Sequence, residues 1–170
     1  MPALSIPADL DRAVAGLLRG SGLTLALAES CSGGLISTRV TDIAGSSEYF
    51  LLGAVTYANS AKMGVLHVPE ELLIRYGAVS REVACAMADG VREVAGSDLA
   101  IATTGIAGPD GGTRDKPVGT VYIALSDGHA CQVQCYRFAG DRNQVRQLTA
   151  TAALELLHSR LMETMGYNSP

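Results

Sequence analysis

The apolar positions of this chain repeat with two spacings, one typical of helices and one typical of buried strands. From Ala8 to Arg19 they fall three or four residues apart, which predicts a helix with one buried face, and Gly20 and Gly22 end it. The short, mainly apolar run Leu23–Ala28 has the character of a buried strand. A glycine turn then leads into a helical pattern over Leu35–Val40.

The same two spacings continue through the rest of the chain. Short apolar runs bounded by turn residues predict strands, and longer runs with one apolar face predict helices. The predicted strands are Leu51–Tyr57, Leu99–Thr103, Val118–Ser126 and Ala130–Phe138, and the predicted helices are Pro69–Tyr76, one that Ser80 opens and Gly96 ends, and one that starts at Asp141.

This alternation of elements predicts an α/β fold. The tight-turn sequence Asp127-Gly128-His129 predicts that the two strands beside it form an antiparallel hairpin. Asp141 and Gln144 have the spacing of a capping box and open the last helix. The order therefore predicts a three-layer α/β/α sandwich with a mixed, mostly parallel sheet of about five to six strands.

The length of the chain indicates how many domains it forms, and its net charge indicates which kinds of ligand it binds. At 170 residues the chain is long enough to bury roughly two thirds of its unfolded surface. We therefore expect a single domain over residues 1–170. A net charge of −4 with scattered arginines argues against a nucleic-acid surface, which needs clustered positive charge, but a small anionic ligand remains compatible with it.

Apolar residues are abundant, yet no run reaches the roughly 18 residues that a membrane-spanning helix needs. The N-terminus also lacks a basic region followed by an apolar core and a cleavage site. We expect a cytoplasmic protein that does not contact membranes.

The cysteines and histidines lack the paired spacing of a metal site. We interpret Cys85, Cys131 and Cys135 as reduced packing residues, and we expect neither a metal nor another cofactor.

Two glycine-rich loops follow predicted strands and are candidates for ligand binding. Ser32-Gly33-Gly34 stands between a strand and a helix, where backbone N–H groups favour a phosphate or a carboxylate. The loop Thr104–Gly112 follows another strand, and such loops form ligand sites in open α/β sheets. The first loop can equally be a plain turn, whereas we favour a ligand-site wall over a mobile connector for the second.

The stretch from Asp42 to Lys62 carries groups suited to acyl transfer. Gly45, Ser46 and Ser47 resemble the opening turn of a helix, where free N–H groups can stabilise an oxyanion. The chain has only two lysines, and a desolvated lysine can act as a base where arginine cannot. A serine beside Lys62 is thus a possible nucleophile and base. Helix capping by the serines and an exposed Lys62 are the structural alternatives.

Together these blocks resemble the C-terminal domain family of the competence/damage-inducible protein CinA. The resemblance spans Leu10–Leu161, and it includes the turn Phe138–Arg142. Its motifs are Ala28–Gly34, Asp42–Ser47, Tyr57–Lys62, Thr104–Gly112 and Lys116–Thr120.

The resemblance implies a nicotinamide-nucleotide amidase that converts nicotinamide mononucleotide to nicotinic acid mononucleotide and ammonia, in pyridine nucleotide salvage. It implies Ser47 as the nucleophile, Lys62 as the base and Tyr57 as an assisting hydroxyl. We expect a small nucleotide as the partner, and homo-oligomers of the chain. The candidate substrate-binding residues are Ser32, Gly33, Gly34, Gly45, Ser46, Thr104, Gly105, Gly108 and Arg142.

Two other hypotheses remain open from the sequence. Cys31 also follows a strand at a possible helix start, so it is an alternative nucleophile. A nucleotide-binding or regulatory module with the same pocket and no turnover is the alternative from another class. The chain also departs from many relatives of the family at Ala58, where they carry a serine, and larger relatives have an additional N-terminal domain.

Overall fold

The structure is a computed structural model that describes residues 9–167. This range contains six α-helices and five strands, and the predicted start of the first helix, Ala8, lies outside it. The elements are α1 (Leu10–Ser21), β1 (Leu25–Glu29), α2 (Leu35–Thr41), β2 (Phe50–Val55), α3 (Asn59–Leu66), α4 (Glu70–Tyr76), α5 (Arg81–Ala95), β3 (Leu99–Gly105), β4 (Thr120–Ser126), β5 (Cys131–Arg137) and α6 (Arg142–Thr164).

The five strands form one mixed sheet in the order β2-β1-β3-β4-β5. Strand β1 pairs in parallel with β2 on one side and β3 on the other, whereas β4 is antiparallel to both β3 and β5. Four of the five strands therefore run in the same direction. The predicted mixed, mostly parallel sheet is confirmed, as is the hairpin of β4 and β5.

Helices cover both faces of the sheet, because successive side chains of each strand point to opposite faces. Leu25 and Leu27 of β1 face the core formed with α1 and α6, whereas Ala26 and Ala28 face the core formed with α5. Burying a leucine side chain contributes about 1.5–3 kcal/mol, so the first core supplies much of the stability. The small alanines on the other face let α5 approach the sheet closely.

Capping residues define the starts of the two longest helices, α5 and α6. The Ser80 side chain accepts a hydrogen bond from the N–H of Val83 at the start of α5. At the start of α6 both bonds of the capping box between Asp141 and Gln144 are present. Both predicted helix starts are therefore confirmed.

The turn at Ser46 differs from its prediction. It is a 3-10 helix of three residues, Ser46–Glu48, and it ends just before β2. Its N–H groups are used locally, since Glu48 donates to the Gly45 carbonyl and Tyr49 donates to the Ser46 carbonyl. The apolar residues that follow belong to the strand, so no longer helix develops.

The cysteines are a second correction. Cys85 of α5 and Cys131 of β5 form a disulfide with a Cα–Cα distance of 6.1 Å, so the prediction that both are reduced packing residues is wrong. The helical and strand periodicities hid this contact, because the two residues are 46 positions apart. Cys135 is free and exposed. Within residues 9–167 no helix is long and apolar enough to cross a membrane.

Candidate active site

A pocket of about 200 Å³ lies at the carboxyl ends of β1, β2 and β3. Ligand sites in open α/β sheets form at this edge, because loops diverge there from neighbouring parallel strands. The residues that line the pocket include Ser30, Cys31, Tyr57, Asn59, Lys62, Thr104, Gly105 and Arg142.

Two larger clefts have a different chemistry. A cleft of about 410 Å³ between β5 and α6 is lined by Gln132, Glu155 and Arg160 among others. A cleft of about 430 Å³ beside α1 is lined mainly by arginines and small residues. Neither places a hydroxyl beside a lysine, so the smaller pocket is the candidate site.

Lys62 is the central cation of this pocket. Its side chain is only 1% exposed. Its Nζ donates to the carbonyl oxygens of Thr56 and Tyr57, at 2.9 Å and 3.1 Å, and lies 3.2 Å from Ser30 Oγ. Burial lowers the pKa of Lys62 below its usual value. No carboxylate within the described residues lies close enough to form an ion pair with it.

The three oxygen partners of Lys62 suit either protonation state of its amine. A neutral amine has two N–H donors and one lone pair, whereas an ammonium group has three donors and no acceptor. An ammonium group donates to all three oxygens, as Nζ does to Ser30 Oγ at 3.2 Å. Burial favours the neutral amine, which donates to the two carbonyls and leaves its lone pair to accept the proton of the Ser30 hydroxyl. This is the arrangement of a general base beside its nucleophile.

Ser30 reaches Lys62 because of its position after β1. Its N–H donates to the carbonyl of Thr103, which extends the pairing of β1 with β3 by one residue. Residues 26, 28 and 30 alternate with the leucines, so Ser30 points to the face of the sheet where α3 and α5 lie. Ser30 lies within the motif Ala28–Gly34, but it is not among the site residues predicted from the sequence. The alternation of side chains between the two faces of β1 is the sequence signal that identifies Ser30.

Helix α3 holds Lys62 in place by packing against α5. A Cβ on Gly90 of α5 would lie 2.0 Å from the carbonyl oxygen of Leu66 in α3, so the two backbones are in direct contact. The helix begins after Ala58, whose extended backbone turns the chain away from β2. The serine that stands there in many relatives is therefore not needed to start α3.

The structure does not bring Ser47 to Lys62. Ser47 is exposed in the 3-10 turn before β2, whereas Lys62 follows the other end of that strand. Strand β2 has six residues, so its ends lie roughly 17 Å apart. Gly45 and Ser46 lie in the same turn and are equally remote from the pocket, where they were predicted to bind substrate.

The predicted anion site at Ser32, Gly33 and Gly34 is filled by the protein itself. The carboxylate of Glu29, which is fully buried, accepts hydrogen bonds from the N–H groups of Gly34, Ile36 and Ser37 and from the Ser37 hydroxyl. The Ser32 hydroxyl shares a 2.8 Å hydrogen bond with Thr103. These groups are therefore not free to receive a substrate phosphate, and periodicity did not reveal that Glu29 folds back onto the helix start.

The other predicted residues do gather at the pocket. Arg142 donates to the Tyr57 hydroxyl and to the Gly108 carbonyl, both at 2.8 Å. Thr104 donates to the carbonyl of Ala78 at 2.7 Å, and Gly105 lines the same wall. The Tyr57 hydroxyl contacts Arg142, while the backbone carbonyl of Tyr57 contacts Lys62. Tyr57 thus connects the cationic mouth of the pocket to its floor.

Cys31 lines the pocket as a neutral thiol. It is 5% exposed, and burial raises its pKa to about 12. A thiolate is the reactive form of cysteine, so this environment opposes a nucleophilic role. The hydroxyl of Ser30, with its base in contact, is the better candidate.

Comparisons with known proteins agree with this architecture. The profile of the CinA C-terminal domain family matches residues 7–161. A CinA-like protein of Geobacter sulfurreducens is 63% identical over 90% of this chain, and one of Geobacter metallireducens is 60% identical over 90%. The match covers 37% of each of those relatives, so the chain spans little more than a third of their length.

Solved structures match over nearly their whole length. A CinA superfamily protein of Klebsiella pneumoniae superposes with a TM-score of 0.88 at 35% identity, covering 91% of this chain and 97% of that one. The competence/damage-inducible protein CihA of Agrobacterium tumefaciens gives 0.85 at 38% identity, covering 92% and 98%. This α/β chain, with its serine and lysine at the strand ends, belongs to the CinA C-terminal domain family.

Proposed function

We propose that this chain is a nicotinamide-nucleotide amidase in pyridine nucleotide salvage, with Ser30 as the nucleophile and Lys62 as the base. The observation that carries the proposal is the 3.2 Å distance between Lys62 Nζ and Ser30 Oγ. Nζ also donates hydrogen bonds to two backbone carbonyls, which fix its position. The substrate is nicotinamide mononucleotide, and the products are nicotinic acid mononucleotide and ammonia. The nucleophilic role expected for Ser47 passes to Ser30.

The reaction proceeds in two steps. Lys62 takes the hydroxyl proton as Ser30 Oγ bonds to the carboxamide carbon, and the carbonyl electrons move to its oxygen. The C–N bond then breaks, and ammonia leaves with the proton that Lys62 returns. Water attacks the acyl-enzyme with Lys62 again as base, which releases the carboxylate and restores the Ser30 hydroxyl.

The oxyanion needs hydrogen-bond donors near Ser30 Oγ. The N–H of Cys31 belongs to the residue directly after the nucleophile, the position that often supplies such a donor when a serine follows a strand. This assignment gives Cys31 a backbone role and leaves its neutral thiol to shape the pocket wall. No step requires a metal.

The size of the pocket supports a substrate that enters only in part. At about 200 Å³ it is smaller than the roughly 300–1,000 Å³ typical of sites that enclose drug-sized ligands. The planar pyridine carboxamide occupies the floor beside Ser30, and the ribose and phosphate extend to the mouth. Tyr57, which is 58% exposed, and Arg142 lie at that mouth.

Ammonia release with nicotinamide mononucleotide tests the proposal. We expect Ser30→Ala to keep its fold and to lose several orders of magnitude in kcat, as removal of a nucleophile does. Ser47→Ala is the matched control, and it should retain most activity because its side chain is exposed and distant. Cys31→Ala should lose far less than Ser30→Ala.

The opposite order would contradict the assignment. An inactive Ser47→Ala with an active Ser30→Ala, both folded by circular dichroism, would return the nucleophile to Ser47. Binding of the nucleotide without ammonia release by the wild-type protein would favour the non-catalytic module.

A further inference from the structure

We propose that Arg146 and Arg142 together form a subsite for a phosphate monoester beside the pocket. This inference rests on the proposed function for the identity of the whole substrate, and it names the group that selects the nucleotide. Arg142 lines the pocket mouth, and Arg146 follows one turn later on α6. Side chains four residues apart lie on the same face of a helix, so both arginines project from the same side of α6.

Arg146 is held in place by the loop after β1. Its Nε donates to the carbonyl of Ser32 at 3.1 Å. Its Nη2 would lie 3.6 Å from a Cβ on Gly33, so the guanidinium rests against the backbone of the exposed glycine. Among the described residues neither Nη group of Arg146 has a hydrogen-bond acceptor. A guanidinium with a fixed Nε and free Nη groups presents the planar donor set that binds phosphate oxygens.

The charges around these arginines are not balanced by carboxylates. Some of the other arginines form ion pairs, such as Arg39 with Asp11 and Arg160 with Asp127. Within residues 9–167 no carboxylate lies within 4.0 Å of Arg142 or Arg146. Two neighbouring cations repel each other, which disfavours this arrangement unless an anion lies between them.

The nearby acids are committed elsewhere. The Asp141 side chain accepts from the N–H of Gln144 at the start of α6. The Glu29 carboxylate below the loop accepts four hydrogen bonds from the first turn of α2. Arg142 is also the first residue of α6, at the positive end of the helix, which is unfavourable for a cation in the absence of a ligand.

The position of the subsite suits a phosphorylated substrate. Ser30 begins the loop that Arg146 contacts at Ser32, so the nucleophile and the subsite share one short segment. A carboxamide at Ser30 and a phosphate at the arginines thus bind at the floor and the rim of one site. Arg146 therefore determines specificity for the phosphate, and it does not touch the reacting carbon.

Binding of ribose 5-phosphate by calorimetry tests the subsite without relying on turnover. We expect Arg146→Met to weaken this binding by roughly tenfold to a hundredfold, the effect of losing charged hydrogen bonds. Arg146→Lys should recover part of the affinity because it restores the charge without the fork. Arg12→Met is the control, since Arg12 is exposed on α1 and pairs only with Asp9.

Substrate comparison separates specificity from structural support. For nicotinamide mononucleotide, Arg146→Met should raise KM with little change in kcat, and for nicotinamide riboside it should change neither. Equal losses for both substrates would show that Arg146 only supports the loop and would overturn the subsite. Unchanged ribose 5-phosphate binding by a folded Arg146→Met would also overturn it. Weakened phosphate binding in a protein without amidase activity would retain the subsite and reject the amidase.

Discussion

Single residues decide the chemistry of this site, and Lys62 is the most informative of them. It is a buried cationic side chain with two carbonyl acceptors and one hydroxyl, and without a carboxylate in contact among the described residues. Desolvation disfavours its charged form, so burial favours a free amine. An arginine at this position would keep its charge at any relevant pH.

Replacement of Lys62 separates proton transfer from charge. We expect Lys62→Arg to be nearly as inactive as Lys62→Met, because arginine does not release a proton to become a base. Single-turnover hydrolysis measures the loss, and calorimetry measures nucleotide binding by both variants. Substantial hydrolysis by Lys62→Arg would make Lys62 a binding residue only.

The lowered pKa of Lys62 also predicts a pH dependence of activity. The base form is populated as pH rises through this pKa, so wild-type kcat should increase with pH and then level off. A kcat that is highest at acid pH and falls as the amine deprotonates would contradict the role of Lys62 as a base.

The same titration should appear in stability. Between the lowered folded pKa and the ordinary value of 10.5, the unfolded chain binds more protons at Lys62 than the folded chain does. The contribution of Lys62 to the free energy of unfolding therefore rises with pH across this window and is constant below it. Urea unfolding of the wild type and of Lys62→Met across pH isolates this contribution as the difference between the two curves. Parallel curves would show that the Lys62 pKa is not lowered.

At the scale of elements, the contact between α3 and α5 holds Lys62 within reach of Ser30. Gly90 permits this contact because it has no side chain. In contrast, a Cβ added at Gly64 of α3 would meet no atom within 4 Å, so the same substitution there enters open space. The two glycines therefore make a matched pair.

Alanine at these two glycines should have opposite effects. We expect Gly90→Ala to destabilise the protein by about 1–3 kcal/mol, the usual cost of overpacking, and to reduce activity by displacing α3 with Lys62. Gly64→Ala should stabilise it by about 0.5–1 kcal/mol, because alanine favours a helix over glycine. Denaturant unfolding with amidase assays checks both, and equal behaviour of the two variants would show that α3 does not depend on this contact.

Helix α2 shows how an internal group can replace a ligand. Its first turn offers N–H groups that favour an anion, and Glu29 supplies that anion from within the chain. The loop that precedes α2 contributes instead through the Ser32 carbonyl, which orients Arg146. The phosphate-binding role expected of Gly33 and Gly34 is thus replaced by a supporting one.

At the scale of the whole molecule, the sheet brings together residues that are distant in the sequence. Arg142 and Tyr57 are 85 positions apart, and Ser30 and Lys62 are 32 apart. The carboxyl ends of three neighbouring parallel strands meet at one edge, which explains why these residues converge there. The disulfide lies at the turn end of the β4–β5 hairpin, where Cys131 begins β5, and this end of the sheet is opposite the pocket.

Reduction of the disulfide tests its contribution to the whole fold. Because the bond closes a loop of 46 residues, we expect its loss to lower the free energy of unfolding by about 2–4 kcal/mol. Unfolding with and without a reductant, beside Cys85→Ser, measures the effect. Amidase activity should persist, since the pocket is at the opposite sheet edge. No change on reduction would show that the two cysteines are not bonded in solution.

The order and type of most elements were determined by the sequence itself. The spacing of Leu10, Val14 and Leu18 defines α1 because a helix buries one face every three to four residues. The Asp127-Gly128-His129 turn defines the hairpin because its φ > 0 position requires glycine. Residue type also indicated Lys62, since of the lysine and arginine side chains only lysine can become a base.

The proposal of Ser30 as the nucleophile depends on the tertiary structure alone. Ser47 is nearer to Lys62 in the sequence than Ser30 is, yet β2 separates them, whereas β1 and β3 bring Ser30 to Lys62. The same holds for Glu29, Cys85 and Arg146, whose partners lie on other elements. Periodicity describes which face of an element is buried, but sheet order and helix packing determine which faces meet.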